Sequence, residues 1–215
     1  MKGTIILILV YIAFGCKSDV SDTNPQDDVD AIEFEQNDSS SYENLDVIEP
    51  SAEFIQFVKE IGLNRWIHDT SRVNKVQLYG LKGIEIHFFD DYPFYSIPYN
   101  ETQVHIALRN NHTPEQKVAN EILSKTKQIW GYFYRDSTAS NFISDGVIEQ
   151  WCYDDSTSSQ LAYDHLKRNG GIVYFNTMPF FYRKNNNVFI FHTRAMAFSY
   201  DQKNIYEQFV ARLEN

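Results

Sequence analysis

Apolar residues in residues 51–215 repeat at helical spacing in some stretches and alternate with polar residues in others. Ser51, a good helix N-cap, begins the first helical stretch, and Gly62 follows it as a stop. The apolar positions between them are Phe54, Phe57, Val58 and Ile61. This spacing predicts a first helix that packs one face on the core.

Alternation of apolar and polar residues, the period of a half-buried strand, marks the next three segments. They are KVQLYG at 75–80, GIEIHFFD at 83–90 and QVHIALRN at 103–110. The aromatic stretch between the last two is predicted to be a protruding loop. The pattern therefore predicts three strands in succession.

Residues 111–135 return to helical spacing. Thr113 and Gln116 match a capping box, and Pro114 occupies the first helical position. The predicted buried stripe of this helix comprises Val118, Ile122 and Ile129, with Leu123 and Trp130 beside it.

The rest of the chain predicts two helices and three strands. A strand over VIEQWCYD (147–154) precedes a capped helix that ends at the glycines of NGG (169–171). Two strands then flank a polar KNNN turn, and Pro179 in the first of them suits an edge strand. The last helix begins with a second capping box, Ser199 with Gln202, and its inward positions are Ile205, Phe209 and Leu213.

Strands outnumber helices in this order of elements, and several of the strands form adjacent hairpins. We therefore expect residues 51–215 to form a single α+β domain, a largely antiparallel sheet covered by helices on one face.

The N-terminus is apolar from Thr4 to Phe14 after a single positive charge at Lys2. Eleven helical residues cover only about 16 Å, too little for a hydrocarbon core of ~30 Å, so we interpret residues 1–15 as a signal peptide. The AFGC sequence that ends at Cys16 resembles the lipobox of bacterial lipoproteins. That resemblance implies cleavage before Cys16 and fatty acylation of its thiol and new amino group.

Acidic charge is concentrated between Cys16 and the domain. Residues 17–50 contain 11 acidic residues and one lysine, whereas residues 51–215 contain 18 acidic and 17 basic residues. The segment 16–50 is predicted to be an acidic flexible tether that holds the domain off an anionic membrane, and LDVIE at its end could add an edge strand. The absence of a basic excess argues against nucleic-acid binding.

The two cysteines cannot form a disulfide within the chain if Cys16 is acylated. Cys152 lies in a predicted strand and is followed by Asp154 and Asp155, which disfavour a thiolate. We expect Cys152 to be a small buried residue rather than a nucleophile.

Six aromatic residues lie between Phe88 and Tyr99 and form the main candidate binding surface. The candidate residues in it are Tyr92, Phe94, Tyr95 and Tyr99, which could grip a protein or stack on a glycan. The alternative is that these side chains pack over one face of the sheet as core.

His192 and Arg194 in FHTRA could present a cationic pair to a carboxylate or phosphate. A structural salt bridge from Arg194 is the alternative. The surrounding segment, residues 171–198, is similar to endings of uncharacterised bacterial lipoproteins, a resemblance that implies no activity.

His87 and His105 are weak catalytic candidates. If their predicted strands pair, both rings could share a face with Glu85 or Asp90 and form an acid–base or metal site. The alternative is local hydrogen bonding, and no third ligand stands at a characteristic spacing. We therefore predict no metal and no cofactor.

The favoured function is a membrane-anchored extracytoplasmic lipoprotein that binds a protein or glycan partner as an inhibitor, immunity or envelope-assembly factor. It would face the periplasm or the cell surface. The alternative is an envelope hydrolase that uses His87 or His105 with Glu85, Asp90 or Asp91. No nucleotide-binding or hydrolase motif favours an enzyme.

Overall fold

A computed structural model describes residues 47–61, 85–110, 113–135, 145–173, 177–193 and 199–214. Asn44–Asn215 form one compact unit. Several predictions fall outside the described residues: the signal peptide, Cys16, the tether up to residue 46, the strand 75–80 and Arg194.

The described residues form five α-helices and six strands. The helices are α1 (Ala52–Glu60), α2 (Gln103–Arg109), α3 (Pro114–Leu123), α4 (Ser156–Val173) and α5 (Ser199–Glu214). The strands are β1 (Glu85–Phe89), β2 (Tyr92–Ser96), β3 (Gln128–Arg135), β4 (Asp145–Cys152), β5 (Phe180–Lys184) and β6 (Asn187–Thr193). A short 3-10 helix, Tyr99–Glu101, precedes α2. No helix within these ranges is both long and apolar enough to cross a bilayer.

The strands form one sheet in the order β1-β2-β3-β4-β6-β5, and every neighbouring pair is antiparallel. The predicted α+β class with a largely antiparallel sheet is therefore confirmed. β3 and β4 pair along their whole length, from Gln128↔Cys152 to Arg135↔Asp145. They are the two central strands in this order.

Helices cover both faces of the sheet, whereas the sequence predicted one covered face. On β3, Ile129 and Phe133 join a core cluster with α2, α3 and α4, while Trp130 and Tyr132 join a second cluster with α1 and α5. Successive strand side chains point to opposite faces, so a strand with continuous apolar residues needs cover on both sides. We call these the α2–α4 face and the α1–α5 face.

Residues 103–110 were predicted to be a strand, but residues 103–109 form α2. Thr102 caps this helix, because its side chain accepts a hydrogen bond from the backbone N–H of His105. Val104 and Leu108 are both buried. Residues four apart share a face in a helix as well as in a strand, so the alternation in this segment suited either structure.

Helix α3 begins at the predicted capping box of Thr113 and Gln116, but it ends at Leu123. Residues 128–135 form β3, so the predicted continuation of the helix to residue 135 is wrong. The predicted stripe is also wrong at Val118, which is exposed. β-branched and aromatic residues in this stretch favour the strand, which tertiary pairing with β4 completes.

The two C-terminal helices follow the prediction only in part. Helix α4 continues through the glycines at 170 and 171 to Val173, where the sequence predicted a stop. A side chain at Gly170 would lie 2.8 Å from the Phe181 ring, so this glycine serves close packing rather than helix termination. Helix α5 begins at Ser199 as predicted, and the buried Gln202 accepts a hydrogen bond from the Tyr134 hydroxyl through its Oε1. The predicted capping box between Ser199 and Gln202 stays a prediction, because the side chain of Ser199 is outside the described part of the structure.

Residues 47–50, which we call the strap, belong to no strand. The strap is held by side chains of the α1–α5 face. Trp130 Nε1 donates to the Ile48 carbonyl at 2.7 Å, and Gln150 Oε1 accepts from the Ser51 N–H at 3.0 Å. Both side chains are fully buried.

Replacing Trp130 by Phe should release the strap and lower the free energy of unfolding by about 1 kcal/mol for the lost hydrogen bond, plus the cost of the volume that the smaller ring leaves empty in the core. Limited proteolysis with N-terminal sequencing should then show faster cleavage at 47–50. Unchanged cleavage would contradict the assigned role of the indole N–H.

Candidate functional site

The aromatic run is a β-hairpin and not a loop. Asp90 and Asp91 form its two-residue turn with positive φ values of 49° and 68°, and Phe89 pairs with Tyr92 across it. Such a turn twists to match the flanking strands. Asp-Asp is an unusual pair at these positions, which is why the sequence pattern did not reveal the hairpin.

Two of the four candidate binding aromatics are in the core. Phe94 and Tyr95 are fully buried on opposite faces of β2, while Tyr92 and Tyr99 pack at the margins of the two core clusters. The core alternative therefore describes Phe94 and Tyr95, and the four side chains do not share one exposed surface.

Phe88 is the exposed member of the run. It is 61 % exposed, and among the aromatic side chains whose burial the structure describes no other is in the exposed class. The hairpin tip beside it is fixed to α1, because Lys59 Nζ lies 2.5 Å from Asp90 Oδ2. The sequence offered no means of separating Phe88 from its buried neighbours, since all of them are aromatic and adjacent.

His87 and His105, which were predicted to lie on paired strands, are not brought together. His87 lies on β1, where its Nε2 is 3.3 Å from Glu85 Oε2 and its ring packs edge-on against Trp130. His105 lies on α2, and its Nδ1 is 3.2 Å from Asn120 Oδ1. The shared site predicted for these residues rested on a second strand, which is instead a helix. Among the residues that the structure describes, no three His, Cys, Asp or Glu side chains are grouped as metal ligands.

His192 occupies a buried polar cluster on the α2–α4 face. Its Nε2 lies 2.9 Å from Glu149 Oε1, and Trp151 Nε1 donates to Glu149 Oε2 at 2.8 Å. The side chains of His192 and Glu149 are 0 % and 2 % exposed. His192 was predicted to face a ligand, but its partner is this carboxylate of the next strand.

Glu149 was not singled out from the sequence, although Val147 and Trp151, two positions away on the same face of the strand, are both apolar. A carboxylate at an inward strand position requires hydrogen-bond donors, and β4 and β6 supply two. The cluster is buried away from solvent, and its hydrogen bonds hold the three side chains in a fixed arrangement. It orders the core and offers no surface to a substrate.

Tyr99 connects the 3-10 helix to α3. Its hydroxyl donates to Asn120 Oδ1 at 2.8 Å, and burial raises the pKa of Tyr99 far above its ordinary value. An open cleft of ≈ 150 Å³ lies beside it, between the end of β2 and the start of β3. Two of the polar side chains that line this cleft already make hydrogen bonds within the protein. Gln128 Nε2 donates to Ser96 Oγ, and Thr126 Oγ1 donates to the Cys152 carbonyl.

Cys152 is buried, as the sequence predicted, and burial raises the pKa of its thiol to about 12. The thiol is therefore protonated at pH 8, where only the thiolate is nucleophilic.

We expect Ellman's reagent to modify native Cys152 at pH 8 at least about a hundredfold more slowly than the urea-unfolded chain, whose thiol has a pKa near 8.5. The folded state holds the thiol proton more tightly, so this group destabilises the fold as pH rises above the unfolded pKa. A Cys152→Ala variant should not show this loss of stability at alkaline pH. Fast labelling of the native protein would contradict the burial.

A scan against protein-family models finds no match to this chain, and searches of curated proteins and of solved structures find none either.

Proposed function

We propose that the chain is an extracytoplasmic lipoprotein that is anchored to a bacterial membrane through Cys16 and acts by binding a partner. The observation that carries the proposal is the apolar run that ends in AFGC and is followed at once by charge. Acylation of Cys16 accounts for a cysteine at the end of the signal peptide and for the acidic segment that follows it.

A lipid anchor with two or three chains would hold the domain at the membrane almost permanently, since each buried methylene contributes about 0.8 kcal/mol. The 30 residues from 17 to 46 would span about 30 Å as a flexible coil, which lets a tethered domain search the space near the membrane. Such a search is useful to a binding module.

The strap defines where the proposed tether would end and the domain would begin. Trp130 and Gln150 hold residues 48 and 51 against the domain, so the flexible length would be counted from residue 47 toward the N-terminus. An exposed apolar side chain on the rigid hairpin, Phe88, supports a role in binding.

Metabolic labelling with alkyne-palmitate tests the anchor. The native protein should incorporate label and sediment with membranes, and Cys16→Ala should lose both properties. Cys152→Ala is the matched control, because it removes the other cysteine and should leave both unchanged. Label that persists in Cys16→Ala, or a native protein that stays unlabelled in the soluble fraction, would refute the proposal.

A further inference from the structure

The seam between β2 and β3 is the shortest in the described sheet. Every residue of both strands is described, yet the two strands meet at two residue pairs: Tyr95↔Gly131 and Ser96↔Trp130. Each other neighbouring pair of strands is in register over five residues or more. The β1–β2 hairpin is therefore joined to the sheet at its open end, and the half that carries the turn has no ladder to β3.

Pro93 lies where this seam stops. The Ile97 N–H donates to the Ile129 carbonyl at 2.9 Å. Hydrogen-bonding positions alternate along an antiparallel pair, so Tyr95 occupies the next such position on β2 and Pro93 the one after it. Proline has no N–H to donate, which removes a ladder bond at that position. Side chains attach the turn half of the hairpin instead, and among them Phe94 is fully buried.

An ion pair and two packed rings hold the turn half in place. Lys59 Nζ on α1 lies 2.5 Å from Asp90 Oδ2 in the turn, and the two side chains are 33 % and 57 % exposed. The rings of His87 and Phe89 lie edge-on to the ring of Trp130, with centroids 5.2 and 5.3 Å away. An ion pair as exposed as this one contributes little and is screened by salt.

Trp130 links the hairpin to the strap. Its ring packs against the two hairpin rings, and its Nε1 donates to the Ile48 carbonyl of the strap at 2.7 Å. Lys59, which holds the turn, lies on α1, the helix that directly follows the strap. Separation of the hairpin from β3 therefore removes the packing that positions the hydrogen-bond donor of the strap.

We propose that the β1–β2 hairpin is a lid that separates from β3 as a unit, with the Lys59–Asp90 ion pair as its latch, and that its opening frees the strap. The closed form is the ground state. Segments joined by few backbone hydrogen bonds open locally at a lower free energy than the whole domain, and the β2–β3 seam is such a joint. The lid does not depend on acylation of Cys16. In an anchored protein it would couple the hairpin to the end of the tether.

Hydrogen exchange followed by NMR on the full chain in detergent micelles tests this proposal. The amides of Tyr95 and Gly131, which face each other across the seam, should have protection factors at least about tenfold lower than the amides that join β4 to β6. Asp90→Asn breaks the latch and should speed exchange of both amides and of the Trp130 indole N–H about threefold. Asparagine tolerates the positive φ of this position. Salt at 0.5 M should act in the same way on the native chain and add nothing in the variant.

Matched variants and an internal control accompany the measurement. Asp154→Asn removes another exposed ion pair, the one with Lys127 at 3.0 Å, and should leave exchange at the seam unchanged. The Trp151 indole N–H donates to the buried Glu149 and should not respond to Asp90→Asn. Circular dichroism of each variant shows whether its fold is retained.

Lys59→Gln removes the latch from its other side. It should reproduce the effect of Asp90→Asn, and the double variant should exceed neither single variant, because both remove the same interaction.

Seam amides as well protected as those between β4 and β6 would overturn the proposal, since the hairpin would then open only with the whole domain. Exchange at the seam that responds to neither latch variant nor salt would do so too. A Trp130 indole N–H that keeps its rate while the seam amides exchange faster would show that the hairpin opens without freeing the strap, which also contradicts the proposal.

Discussion

Glu149→Ala should lower the free energy of unfolding by about 4 kcal/mol, the largest effect expected from removing a single polar side chain in this domain. The carboxylate accepts from Trp151 Nε1 at 2.8 Å and lies 2.9 Å from His192 Nε2. Alanine would leave Trp151 Nε1 and His192 Nε2 without this carboxylate partner in a core where water does not replace it. Urea unfolding of the chain from residue 17 onward, followed by fluorescence, measures the change.

Glu149→Gln tests how much of the stability loss comes from the lost hydrogen bonds. Its amide oxygen can still accept from one of the two donors, so the expected loss is about half as large. Glu121→Ala removes an exposed carboxylate and should change stability by less than about 0.5 kcal/mol. A loss below 1 kcal/mol in Glu149→Ala would show that the buried cluster is not a stabilising contact.

Phe209→Ala should also cost about 4 kcal/mol, within the range for truncating a buried phenylalanine. Phe209 on α5 is fully buried on the α1–α5 face and is surrounded by other rings. Five aromatic side chains lie within 6.5 Å of its ring centre: Phe54, Phe57, Tyr182, Phe189 and Phe191. Alanine would leave a cavity that links α1, α5 and two strands.

Two control variants provide a reference for the stability loss of Phe209→Ala. Phe209→Leu retains most of the volume and should lose about 1.5 kcal/mol or less. Phe88→Ala removes the same side chain from an exposed position and should lose less than about 0.5 kcal/mol. Equal losses at the two phenylalanines would contradict the assignment of one to the core and the other to the surface.

Features that depend on neighbouring residues were predictable from the sequence. Ser51 and Thr113 cap helices where predicted, because the side chain of an N-cap bonds to backbone only three residues away. The β5–β6 hairpin forms around the predicted polar turn, with Asn185 at a positive φ of 53°. In each case the determining contact lies within the segment itself.

The errors arose where one pattern suits two structures. Residues 103–109 form a helix because Thr102 caps them and Leu108 joins a core built by α3 and α4, which the local pattern does not contain. Gly170 lies inside a helix at a place where a side chain would meet the Phe181 ring, and the sequence does not show that close approach. Long-range packing decided these segments against their local preference.

By itself the sequence determined the α+β class, the N-caps Ser51 and Thr113, the β5–β6 hairpin and the place of Cys16 after an apolar run, since each depends on residue order over a few positions. Only the tertiary structure decided that both sheet faces are covered, that Glu149 meets His192 and that Phe88 is exposed while Phe94 is buried. The physical reason is that burial belongs to the assembled sheet: neighbouring aromatic residues have equal hydrophobicity, and only packing determines which of them reaches water.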